Sequence, residues 1–164
     1  MGMTFASRPP ANFHTSGLVR RLRWSGLAAA AIATVIVAAV YGGLPEQIPT
    51  HFGASGQADA WGPRSSVWPL LGVWLLVQAL LAFLSTWPRM FNYPVPVTEA
   101  NAQRLYRDGE GLMVFMGVSV AIIFTGLVLL SVGAPGFPLV GVGLAFLLAV
   151  LVVGVGRLMR SPWA

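Results

Sequence analysis

Four apolar runs of about twenty residues each, uncharged except at their ends, constrain this chain more than any other feature. They lie at about residues 24–43, 66–85, 111–131 and 138–157. A hydrocarbon core about 30 Å thick is crossed by roughly 20 residues of helix. Lipid offers no partner to an unpaired backbone amide, so each run is expected to close its hydrogen bonds internally as a transmembrane α-helix. Only 9% of residues are charged, against about 25% in soluble domains. The expected fold class is therefore all-α, a polytopic membrane protein of four transmembrane helices with an ordered outer loop.

The arginines set the expected orientation. All ten basic residues are Arg. Arg8, Arg20, Arg21 and Arg23 precede the first run, Arg89, Arg104 and Arg107 follow the second, and Arg157 and Arg160 close the fourth. All nine fall on one side of the membrane, and Arg64 alone falls on the other. Inner loops collect positive charge. Residues 1–23 and 158–164 are thus expected to be cytoplasmic tails, 86–110 a cytoplasmic loop with a short helix, and 44–65 an outer loop, with 24–157 forming the membrane domain. Trp24, Tyr41, Trp61, Trp68, Trp87, Tyr93 and Trp163 sit near these boundaries, as an interfacial belt requires. The net charge of +5 is then a bilayer pattern, and no nucleic-acid partner is expected. A cleavable signal peptide is the competing reading of the N-terminus. An uncleaved span is preferred, because the run exceeds the roughly 7–15 residues of such a peptide's apolar region.

Between the spans, residues 1–17 carry two prolines and no periodicity and are read as a mobile tail with a solvated His14. In the 86–110 segment, Pro94 and Pro96 enforce an extended path. Thr98 is the expected N-cap of a helix that includes the pairs Arg104–Asp108 and Arg107–Glu110. Its arginines would meet anionic headgroups or, in a second reading, a protein partner.

Chemistry is sparse. Without cysteine there is no disulfide, thiolate or iron–sulfur site. Gln78, Ser119 and Thr125 are the notable polar groups at depth, and a lone Gln is read as a helix–helix hydrogen bond. Ala29, Ala33, Gly141, Gly143 and Gly154 suit close packing within one bundle or between copies. The remaining candidates are Glu46, His51 and Asp59, all in the outer loop. They are read first as loop organisers and contacts for a ligand or partner, with a divalent metal as the alternative. No cofactor, metal site or catalytic residue is assigned.

The loop itself, "LPEQIPTHFGASGQADAWGPR", resembles the signature of a small bacterial membrane domain of unknown function. That domain stands at the N-terminus of Sdp-type immunity proteins and in short stand-alone proteins. The matching residues are Leu44, Pro45, Ile48, Pro49, His51, Phe52, Gly56, Asp59, Gly62 and Arg64, the last replacing the usual Lys. The resemblance implies a protein of the bacterial cytoplasmic membrane, both termini cytoplasmic. Sdp-type immunity proteins protect the producing cell from a secreted toxic peptide and relay its presence inward, and they carry a further domain that this chain is expected to lack. The expected function is non-enzymatic sensing or binding of a ligand or peptide at the outer face, immunity- or signalling-like. The alternative is an accessory subunit of a membrane transport or envelope complex. Its expected partners are the lipid bilayer and either another membrane protein or a second copy.

Overall fold

Helices α1 (Gly17–Leu22), α2 (Ser25–Val40), α3 (Val67–Leu84), α4 (Ala102–Ser131) and α5 (Phe137–Met159) make up most of the computed structural model, which describes residues 7–160. Trp163 and the remaining terminal residues lie outside that range. Among the described residues, four helical segments are long and apolar enough to cross a membrane: Gly17–Gly43, Arg64–Leu84, Ala102–Ser131 and Phe137–Met159. The all-α reading holds for the membrane-crossing part. The segment joining α2 to α3 adds a two-stranded antiparallel sheet, β1 (Gln47–Phe52) and β2 (Ala58–Pro63).

The helices pack through small residues and one buried amide. A Cβ at Gly126 would lie 2.7 Å from the Gly136 carbonyl, and one at Gly143 would lie 2.6 Å from the Ile123 side chain. Backbones of α4 and α5 therefore approach at a distance that larger residues forbid, as in membrane helix pairs generally. Gly154 packs on Leu112 in the same seam, whereas Gly141 faces open space. Gln78 on α3 donates from Nε2 to the Gly117 carbonyl of α4 at 3.0 Å. Its amide also fills the place where a Cβ at Gly26 of α2 would sit. One polar side chain thus locks three helices together.

Two apolar cores result. Towards the hairpin end, Ala30, Val37, Leu71, Trp74 and Val128 gather with Ile48 of β1, and Trp74 stacks on Phe124. Towards the arginine-rich end, Val95, Val97, Ala102, Leu105, Tyr106 and Leu158 form a second cluster, with Phe13 packed against it.

That second core corrects two expectations. Residues 7–16 are not a free tail, because they dock on the loop and on α4. Arg8 donates to the carbonyls of Arg89 and Phe91 at 2.8 and 2.7 Å, and Arg89 returns a bond to the Arg8 carbonyl. Gln103 brackets Pro10 and Asn12, and the Tyr106 hydroxyl donates to the Pro9 carbonyl. The helix also begins later than Thr98. Asn101 precedes its first residue, and the Asn101 side chain accepts from the Thr98 amide and donates to the Pro96 carbonyl. The cap residue thus spends its side chain on the extended segment before it, and α4 then runs unbroken through Gly109 and Gly111.

Candidate functional site

Seven of the ten loop residues singled out in the sequence lie in the hairpin, and Leu44, Pro45 and Arg64 flank it. Leu44 ends the 3-10 turn Tyr41–Gly43 that follows α2, in extended geometry, and Pro45 prevents helix from continuing. Ile48 is 2% exposed and plugs the hairpin into the bundle core. Pro49 pairs with Trp61, and in a two-stranded sheet its missing N–H can face the free edge. The turn is closed by Gly53 and Gln57, with the Gly56 amide donating to the Gly53 carbonyl at 2.9 Å. Gly56 has φ +78°, the left-handed residue that a three-residue hairpin loop requires. A Cβ there would stand 2.6 Å from the Phe137 ring, so the tip of the hairpin lies against the start of α5. At the base, Arg64 stacks 5.1 Å over the Tyr41 ring, which in turn packs on Trp68, and the Arg64 amide donates to the Glu46 carbonyl. Gly62 lets Thr50 and Ser66 close on the strand.

This frame presents His51 and Asp59 to solvent. The register slips on both sides of His51, one extra residue on β1 and then one on β2, and the two side chains meet. His51 Nδ1 and Asp59 Oδ1 lie 2.5 Å apart, with the side chains 70% and 54% exposed. Trp61 projects from the same hairpin at 61% exposure, while Phe52 is half-buried. Glu46 does not join the pair: among the described residues no three His, Asp or Glu side chains converge. The geometry is that of a platform anchored to the bundle and carrying one polar pair and one exposed indole.

The opposite end holds functional-looking residues that sequence reasoning missed. Glu110, expected to pair with Arg107 one turn away, is instead buried. It accepts from Arg23 and from the Thr15 hydroxyl, the latter at 2.8 Å. No spacing rule finds this, since the partners are more than eighty residues apart. Arg104–Asp108 does form, at 3.7 Å. Tyr93 donates to the Pro88 carbonyl at 2.7 Å. Burial, and then the neighbouring Tyr106, push its phenol far above the ordinary range against the opposing charge of Arg8.

A family model described as a domain of unknown function, DUF1648, matches residues 28–76, which span α2, the hairpin and the first half of α3. An uncharacterized protein of Archaeoglobus fulgidus is 32% identical over 62 residues. That alignment takes in 33% of this chain and 34% of the relative, so the chain spans about a third of the length of the curated protein it matches. No solved structure matches.

Proposed function

We propose that this is a non-enzymatic protein of a bacterial cytoplasmic membrane that binds a ligand or peptide at its outer face through the 47–63 hairpin. The carrying observation is the contrast within that hairpin. Ile48, Gly56 and Arg64 fasten it to the bundle, while His51, Asp59 and Trp61 remain exposed on it. A segment fixed by buried and stacked contacts, yet presenting an indole and a hydrogen-bonded ionisable pair, is pre-organised for recognition. Nine arginines at the other end favour that end as cytoplasmic. The likeness of the loop to Sdp-type immunity proteins makes an immunity- or signalling-like role the specific form of the proposal.

The test is site-directed photocrosslinking in intact membranes. A crosslinker at Ala60 is expected to capture one defined extracellular ligand or peptide, and one at Ala100 is not. His51→Ala and Asp59→Ala are expected to abolish the Ala60 adduct. Because an exposed pair contributes less than about 1 kcal/mol to stability, both variants should reach the membrane at the wild-type level. Equal capture from both positions, or adducts indifferent to both variants, would overturn the proposal.

A further inference from the structure

Between α1, α4 and α5 at the arginine-rich end lies a cleft of about 470 Å³. Its walls are apolar, with Phe115, Phe146, Val150 and Val153 along the two long helices. Four charged side chains, Arg107, Asp108, Glu110 and Arg157, also line it, and their pairing is unequal. Glu110 is neutralised by Arg23 and Asp108 by Arg104. Arg107 and Arg157 are exposed and, among the described residues, make no ion pair. The cleft therefore presents two uncompensated cations at the head of a greasy trough, at the end of helices long enough to span a bilayer.

We propose that this cleft binds one anionic phospholipid, its phosphate between Arg107 and Arg157 and an acyl chain along the α4–α5 groove. Charge and shape select that occupant. A soluble anion would gain nothing from the aromatic and aliphatic walls. A helix of a second protein is about 10 Å across before it meets any partner, too wide for a recess of this volume. An amphiphile with a negative head satisfies both halves, and the volume falls within the roughly 300–1,000 Å³ of small-molecule sites. The wall at Gly111 is open, since a Cβ there would meet nothing within 4 Å. The inference is independent of the hairpin reading and rests only on membrane embedding.

Native mass spectrometry of the full chain, released from bilayers of equal phosphatidylglycerol and phosphatidylcholine, tests it. Wild type is expected to retain one phosphatidylglycerol in preference to phosphatidylcholine by roughly five- to thirty-fold, the scale of one to two arginines at a membrane surface. The pair Arg107→Gln and Arg157→Gln should bring that ratio to near one. Gly111→Leu, whose Cβ starts in open space and whose branch takes up part of the cleft, should lower total retained lipid, with the helical circular dichroism of the variant checked against wild type. A control with Arg20→Gln and Arg21→Gln removes as much charge from the same end but leaves the cleft intact, and should keep the preference. An unchanged ratio in the Arg107/Arg157 variant overturns the site, as does equal loss in the control. Retention of a second copy of the chain in place of lipid overturns it too.

Discussion

Tyr93 shows how one residue ties the arginine-rich end to pH. Its hydroxyl is held by the Pro88 carbonyl, with Phe91 and Tyr106 against its ring and the Arg8 guanidinium 5.8 Å above it. In the unfolded chain the phenol ionises near 10.0, whereas burial keeps it protonated beyond that in the fold. Above about pH 10 the unfolded state ionises and the folded state does not, so the stability Tyr93 contributes is complete below that pH and lost as pH rises. Tyr93→Phe is expected to cost about 1 kcal/mol at neutral pH, for the hydrogen bond, and to flatten the alkaline loss. Thermal melts of both proteins in detergent at neutral pH and at about pH 11 check this. Parallel losses in the two proteins would show that the alkaline sensitivity belongs to other groups. The same end shows why single residues resist sequence reading. Arg8 and Arg89 exchange bonds with each other's backbone, and a carbonyl acceptor leaves no mark in the sequence.

At the scale of elements, legibility divides by where each element's hydrogen bonds go. The long helices were readable because a bilayer demands long uncharged runs, and residues 24–43, 66–85, 111–131 and 138–157 supply them. The hairpin was readable only as an ordered loop. Its second strand, Ala-Asp-Ala-Trp-Gly-Pro, has little β propensity, and its first contains a proline. What makes it a hairpin is tertiary: Ile48 in the bundle core, Arg64 on Tyr41 and the tip against Phe137. Gly56→Val meets two penalties at once, a left-handed backbone costing about 1–2 kcal/mol and a clash with the Phe137 ring. The expected outcome is local. Amides of residues 47–63 should exchange faster by about tenfold or more, as 1.4 kcal/mol or more of local opening requires, while α4 keeps its protection. Uniform loss of protection across the bundle would mean that the hairpin is integral to the core and not a platform upon it.

For the whole molecule, the arrangement is a bundle closed differently at its two ends. One end is capped by the hairpin, and the other by residues 7–16 strapped over the 88–101 segment and stapled through Glu110 to Arg23 and Thr15. The hairpin proposal depends on which end faces the cell interior, because a peptide ligand would arrive from outside, whereas the cleft takes its lipid from whichever leaflet meets the arginines. The absence of cysteine makes the test clean. Single cysteines at Gln57, in the exposed hairpin turn, and at Ala100, in the exposed turn before α4, each introduce one reporter. A membrane-impermeant maleimide applied to intact cells is expected to label Cys at 57 and to spare Cys at 100 until the membrane is opened. The reverse pattern would invert the molecule, placing the hairpin inside and the lipid cleft in the outer leaflet. Labelling of both sites in intact cells would be incompatible with the threading itself, since residues 57 and 100 are separated by one span, α3, and an odd number of crossings must put them on opposite sides.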